Sequence, residues 1–271
     1  MAATEGRGRM DDVEGDLVTW EMRGEVAVIG LNRPRKRNAI SDRFVEALGR
    51  AAERAQSEAG AAVIHGHGPH FCAGLDLAEH VEKPLIDAVK GSRQWHRIFD
   101  GIERGAIPFV TALTGAVVGG GFELAAATHV RVADEGAFFA LPEGTRGIFV
   151  GGGGSVRVGR LIGAARMGDM MLTGRSVSAT EMERWGGVSY VVPEGQALDR
   201  AVELAARTAQ NAPMSNYAIL NALPRIQDMS SEDGLFTESL MSALSSATPE
   251  AEERLRAFVE KRAAKVARPD A

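Results

Sequence analysis

The chain is predicted to fold as an α/β domain with a helical C-terminal region, and three observations lead there. From Leu17 to about Val132, short β-rich runs alternate with helical stretches. From about Val156 the β signal nearly vanishes apart from "VSYVVP", and helical patterns follow one another. The composition, 45% hydrophobic and 25% charged over 271 residues, is that of a globular protein able to bury a sizeable core.

Taken in order, residues 1–16 ("MAATEGRGRMDDVEGD") carry two arginines, five acids and no apolar core, so neither a secretory signal nor an acid-poor transit peptide fits and a frayed end is expected. "LVTWEMR", "VAVIGL", "AAVIHG", "FVTALTG" and "VRVAD" read as strands, and Asp42 to Ala55 as a helix between the second and third. Helices are expected over Ala179–Trp185, Leu198–Gln210, Met214–Leu223, Glu232–Ser246 and Pro249–Val266. With no Pro/Ser-rich linker and no repeat at a fixed period, residues 17–195 are read as one α/β core carrying the site and 196–271 as its helical extension.

Charge and cysteine usage exclude several partners. A net charge of −5, from 31 Lys+Arg against 36 Asp+Glu, is wrong for a nucleic-acid surface. The longest apolar runs fall short of the ~20 residues a membrane span needs. A single cysteine, Cys72, excludes an internal disulfide framework and fits a reducing compartment, so a cytoplasmic protein is expected.

The stretch "GAVVGGGFELAAATHV", Gly115 to Val130, places three glycines where a helix must begin. Each glycine costs backbone entropy, so the triplet implies a close approach to the main chain or a helix N-terminus kept bare. The first N–H groups of a helix lack intrahelical partners and sit at the positive end of its dipole, where a negative oxygen can be held; a tight, closely packed turn is the competing reading.

Glu123 lies one turn into that helix among apolar neighbours, and Glu143 follows the apolar run of "FFALPEGTRG". Two carboxylates in an apolar cleft are what general acid–base work requires, because desolvation raises a carboxyl pKa towards neutrality. Each taken singly also fits a capping or paired surface acid. A further glycine turn, "AGLD" in "HGHGPHFCAGLDLAEHV", follows a strand end, where a backbone N–H could converge with one from the triplet on a single carbonyl oxygen.

Other signals carry less. His65, His67 and His70 form H-x-H-x-x-H, but His80, His96 and His129 complete no ligand set, and no metal is expected. "VGGGGSV" matches neither phosphate-loop pattern and reads as close packing behind Glu143. Cys72, with no identifiable base, reads as a small buried apolar residue.

Four ordered segments, "HFCAGLDL", "GAVVGGGFELAAA", "ALPEGTRGIFVGGGGSVRVGRLIG" and "MMLTGRSVSATEMERWGGVSYVV", resemble the crotonase (enoyl-CoA hydratase/isomerase) superfamily, over about Leu17 to Lys265. The resemblance implies a superhelix of repeated ββα units, with a helical C-terminal region that packs homotrimers, often paired into hexamers. It implies an acyl-CoA thioester substrate and no cofactor beyond the coenzyme A that the substrate carries. Carried over by position, the backbone N–H groups of Leu75 and Gly120 would form an oxyanion hole for the thioester. Glu123 and Glu143 would hold a water across a 2-enoyl double bond, Glu123 taking a proton as water attacks C3 and Glu143 delivering one to C2.

For coenzyme A the resemblance points to the turn "NRPRKRNAIS", with Arg33, Arg35, Lys36 and Arg37 as cations, Arg35 preferred, and Ala39 beside them. It also points to Ala73, Asp76, Leu77 and Ala78 along the pantetheine, to Gly119 and Gly151 at the thioester, and to Phe258 and Lys261 in "AFVEKR". An acyl pocket is expected from Trp95, Phe99, Phe122 and Phe149, with Ile98 and Ile102 on the same helical stripe as Trp95; such a stripe also fits plain core. The sequence departs from the family at Thr128-His129, where a Cys-Asp pair is common, and at Phe149-Val150, where a proline is usual. Double-bond isomerisation, other enolate chemistry or a non-catalytic CoA-ester-binding module therefore stand as alternatives to hydration.

Overall fold

The structure, a computed structural model, describes residues 16–77 and 84–262. Ala78 and the end of the predicted Pro249–Val266 helix lie outside the described residues. Strands β1 (Val18–Arg23) and β2 (Val26–Leu31) form an antiparallel hairpin, and α1 (Asp42–Glu58) leads to β3 (Ala61–Gly66). Then follow α2 (Leu85–Glu103), β4 (Phe109–Leu113), β5 (Ala116–Val118), α3 (Gly120–Ala126), β6 (Val130–Asp134) and β7 (Phe138–Ala140). Helices α4 (Gly154–Ile162) and α5 (Ala164–Thr173), strand β8 (Ser176–Ser178), helix α6 (Ala179–Arg184) and strand β9 (Tyr190–Val192) complete the α/β part. The helical part comprises α7 (Ala197–Ala209), α8 (Pro213–Asn221), α9 (Leu223–Ile226), α10 (Ser231–Ser246) and α11 (Pro249–Val259).

The order ββα recurs as β1-β2-α1, β4-β5-α3 and β6-β7-α4. In the last two units the first strand joins a six-stranded sheet, ordered β1-β2-β3-β4-β6-β9, and the second joins a three-stranded sheet, β5-β7-β8. Every pairing of the large sheet beyond β1-β2 is parallel. Parallel strands covered on both faces read as continuous apolar runs, as "VAVIGL" does, with all six residues buried. Alternation along the strand divides the two cores. Ala27, Ile29 and Leu31 face the main core with Phe44, Phe71, Phe99, Phe122 and Phe139, whereas Val26 and Val28 face the apolar side of α7, with Ala201, Leu204 and Ala205. Each such aromatic contributes roughly 1.5–3 kcal/mol by burial.

Several local details differ from the sequence expectation. Strand β8 is three residues long with serine at both ends, too short and polar for periodicity to reveal. Helix α11 ends at Val259, and the chain turns there through Lys261 in the left-handed region (φ 60°). Among the described residues no helix is long and apolar enough to cross a membrane.

Candidate active site

Strand β5 runs into Gly119, whose φ of +52° is open to glycine and whose N–H donates to Ala140 O at 2.9 Å, tying the turn to β7. Helix α3 starts at the next residue, so the N–H of Gly120 has no partner within the helix. Gly121 is bare because a Cβ there would lie 2.5 Å from Cys72 O and 3.0 Å from Cys72 Sγ. The thiol donates to Asn38 O (3.1 Å), and burial pushes its pKa up to about 12.

The second backbone donor comes from the loop after β3. Ile40 and Leu75 form an isolated parallel bridge: Ile40 N–H donates to Gly74 O (2.7 Å) and Asp76 N–H to Ile40 O (2.9 Å). In a parallel bridge the flanking residues make the bonds, so the Leu75 N–H projects from the opposite edge of its segment. Gly74, at φ +86°, keeps the gap between the two donors open: a Cβ there would lie 2.7 Å from Val118 O and 3.3 Å from Gly120 N. Leu75 and Gly120 line one cavity of about 280 Å³, together with both predicted carboxylates.

Glu123 is buried one turn into α3. Its Oε1 accepts the N–H groups of Gly152 (2.8 Å) and Gly154 (2.7 Å). A Cβ on Gly154 would sit 2.8 Å from Glu123 Cγ, so "GGGG" is the cradle of Glu123, not packing behind Glu143 as the sequence suggested. Arg157, buried on α4, clamps that cradle by donating to Gly152 O (3.0 Å), Glu103 (2.8 Å) and Asp100 (2.5 Å). Burial pushes the Glu123 pKa up, and the glycine N–H groups pull it back.

Glu143 caps a 3₁₀ turn, Gly144–Arg146, its C=O accepting from Arg146 N and Ile148 N, both at 3.0 Å. Its Oε2 is buried with no hydrogen-bond partner among the described residues, and a Cβ on Gly119 would fall 2.9 Å from its Oε1. Desolvation raises its pKa, the charge of Glu123 adds to that, and Arg146 opposes it. One cavity thus holds two carboxyl groups displaced towards neutrality and two outward backbone donors. That arrangement can hold an oxyanion and move a proton on either side of a bound molecule.

The structure sorts the remaining expectations. Ala73, Leu77, Gly119, Gly151, Trp95 and Phe149 line the cavity, with Phe149 exposed at its mouth. Phe99 and Phe122 do not line it: both are fully buried, Phe99 because the 3.6-residue period carries the α2 stripe past Trp95 into the core, and Phe122 because it packs from α3 edge-on against Phe139 of β7. Ile102 is buried core as well, and Ile98 lines a separate hollow between α1 and α2. Asp76 is buried between Arg33 (3.1 Å) and Lys36 (3.0 Å), so these cations fasten the basic turn to the Leu75 loop. Ala39 gives its C=O to Arg33 (2.7 Å), while Arg35 stays exposed. Phe258 and Lys261 are exposed on the C-terminal segment and do not line this cavity.

His129 fastens α3 to the sheet, its Nδ1 accepting from Phe109 N (2.9 Å) and its Nε2 facing Glu103 O (3.0 Å). His67 Nε2 meets Thr19 Oγ1 (2.7 Å), and His70 Nδ1 accepts from Ala116 N (3.2 Å). Sequence reasoning missed Asp42, Ser92, Arg146 and Ile148, which also line the cavity. For Arg146 the signal was its place in the turn directly after Glu143.

A profile of the family described as enoyl-CoA hydratase/isomerase matches residues 21–268. The chain is 32% identical to the enoyl-CoA hydratase EchA19 of Mycobacterium tuberculosis, covering 90% of this chain and 93% of that protein. It is 34% identical to the 2,3-dehydroadipyl-CoA hydratase of Escherichia coli, over 88% and 93%. Among solved structures, one from Rhodopseudomonas palustris, provisionally named an enoyl-CoA hydratase, superposes with a TM-score of 0.88 at 50% identity, over 91% of this chain and 95% of that one. An enoyl-CoA hydratase from Bacillus anthracis gives 0.85 at 30%, over 91% and 97%. Profile, relatives and fold agree with the site's geometry, and the chain belongs to the enoyl-CoA hydratase/isomerase family, the crotonase superfamily that its glycine and carboxylate motifs resemble.

Proposed function

We propose that the protein hydrates 2-enoyl-CoA thioesters reversibly to 3-hydroxyacyl-CoA, using Glu123 and Glu143 about a thioester held by Leu75 and Gly120. The observation that carries this reading is the meeting of two buried carboxyl groups and two outward N–H groups on one cavity. The thioester oxygen takes the N–H groups of Leu75 and Gly120, and the positive end of α3 adds to them as negative charge develops. A water lies between the carboxyl groups. As its oxygen bonds to C3, Glu123 takes one of its protons, and the C2–C3 electron pair shifts towards the thioester to leave an enolate. Glu143, whose buried Oε2 favours the protonated form, gives its proton to C2. The two carboxyl groups then exchange a proton with solvent to reset.

Coenzyme A enters with the substrate, and no cofactor of the protein's own is required. Its pantetheine follows Ala73 and Leu77, and its phosphates meet the exposed Arg35 on the basic turn. Asp76 serves that end by holding the turn in place. Phe258 and Lys261 reach the nucleotide across an interface, in a homotrimer or dimer of trimers built on the helical C-terminal region. Exposed Leu235, Phe236, Leu240 and Leu244 on α10 and Leu255 and Phe258 on α11 support such an interface. The enzyme acts in the cytoplasm, a reading that rests on its single buried thiol.

The test follows the absorbance of the conjugated enoyl thioester with crotonyl-CoA and a longer 2-enoyl-CoA. Wild type abolishes the band, and Glu123→Gln and Glu143→Gln each slow its loss by about 10²–10⁴. A persistent band with every 2-enoyl-CoA, despite measurable binding of acyl-CoA, refutes hydration and redirects attention to isomerisation or a non-catalytic role.

A further inference from the structure

The cavity that would receive the acyl group carries a cation that a hydrocarbon chain does not need. Arg146 lines it, at the end of the 3₁₀ turn that begins from Glu143. That turn is firmly set. Thr145 Oγ1 donates to Pro142 O (2.8 Å), Gly147 closes the turn at φ +70°, and Gly144 packs so closely that a Cβ would lie 2.4 Å from Met171 O. The guanidinium is near enough to Glu143 to oppose the rise in its pKa, yet among the described residues no carboxylate forms an ion pair with it. Arg146 is exposed at the rim of the cavity, whereas the guanidinium groups of Arg33 and Arg157 are held by Asp76 and by Asp100 and Glu103.

The position within the cavity supplies the rest. The hydratase reading assigns the Leu75–Leu77 segment, to which the basic turn is pinned through Asp76, to the coenzyme side of the thioester. Glu143 stands at C2 and C3 in the proposed reaction. Arg146, Ile148 and Phe149 come directly after Glu143 in the chain and line the same cavity, and the hydratase reading assigns them to its acyl side. Three of the four charged side chains on this cavity are acids, Asp42, Glu123 and Glu143, which makes Arg146 its single cation among the described residues.

We propose that Arg146 selects acyl-CoA substrates whose acyl chain ends in a carboxylate, receiving that carboxylate at the mouth of the cavity beside Ile148 and Phe149. The inference rests on the hydratase reading for the position of the acyl chain, and deepens it. A guanidinium pairs a carboxylate through two parallel N–H donors, which neither lysine nor an apolar side chain reproduces.

The experiment compares trans-2-hexenoyl-CoA with its ω-carboxylated counterpart in turnover, and hexanoyl-CoA with adipyl-CoA in calorimetric binding, for wild type, Arg146→Leu and Arg146→Lys. The expected result is a wild-type preference for the carboxylated member of each pair. Arg146→Leu lowers that ratio about 10- to 100-fold, as loss of a charge-assisted pair implies, and Arg146→Lys restores part of it. Equal affinity of wild type for hexanoyl-CoA and adipyl-CoA overturns the proposal. So does an equal fall for both members of each pair in Arg146→Leu with a shifted pH profile, which would make Arg146 a modulator of Glu143. If neither enoyl thioester turns over but adipyl-CoA binds more tightly through Arg146, the hydratase reading fails and the carboxylate site stands.

Discussion

Gly74→Ala isolates the proposed oxyanion hole, because its effect on the site is steric and its position can be matched by a control. The native φ of +86° costs an alanine roughly 1–2 kcal/mol. The added Cβ would also meet Val118 O at 2.7 Å, a backbone atom that cannot swing aside, so the two segments must separate by several tenths of an ångström. Together these destabilise the fold by about 2–4 kcal/mol, and a domain of this size then loses roughly 4–16 °C in Tm. The catalytic effect is separate. The same Cβ sits 3.3 Å from Gly120 N, on the donor that would receive the thioester oxygen. Loss of one such donor lowers kcat by about 10²–10³, with kcat/KM falling in parallel, since the contact strengthens only as charge develops. Gly151→Ala is the control: it lies on the same cavity, and its Cβ would meet nothing closer than Ser92 Oγ at 3.9 Å. Steady-state hydration kinetics below the melting transition, with thermal unfolding of each variant, give the answer. Full kcat in folded Gly74→Ala would refute the assignment of Gly120 N–H as a donor. An equal loss in Gly151→Ala would show that the cavity simply tolerates no added methyl.

Two further outcomes follow from the buried titratable groups. The folded state raises the pKa of Glu143, so it binds more protons than the unfolded chain above the ordinary carboxylate pKa, and stability falls as pH rises through that interval. Glu143→Gln removes the titration: it should raise Tm, and by more at pH 8 than at pH 5, as differential scanning calorimetry at the two values will show. A uniform or reversed difference would mean that the group is not held towards neutrality. Cys72, its thiol pushed up to about 12 and packed under Gly121, should resist a thiol reagent at pH 8 in the native protein. It should react within minutes once denaturant unfolds the chain, and rapid native labelling would contradict the packing of the Cys72–Gly121 contact.

Much of the architecture was legible in the sequence because its signals are local. Period-2 and continuous apolar runs marked β2, β3, β4 and β6, and the loss of that signal after Val156 marked the helical part. The glycine triplet and Glu123 were legible for the same reason: a bare helix start and an acid amid alanines are visible in a few adjacent letters. The strand Ser176–Ser178 was not, since its pairing with β7 is decided by a neighbour nearly 40 positions away. The acyl-pocket reading failed at Phe99 because helical spacing says which residues share a face and not what that face meets, and at Phe122 because its contact with Phe139 of β7 is made only by the assembled fold.

The sequence by itself determined the class of fold, the two acids and the glycines that keep backbone donors bare, because each rests on propensity or on the chemistry of a short segment. Only the tertiary structure decided that Glu123 is cradled by Gly152 and Gly154, that Arg157 holds that cradle, that Asp76 is spent on Arg33 and Lys36, and that Arg146 faces the cavity. Those contacts join segments from about 29 to 57 residues apart, or depend on which way a turn is packed. Burial and pairing of charge are properties of the assembled chain, and no local pattern encodes them.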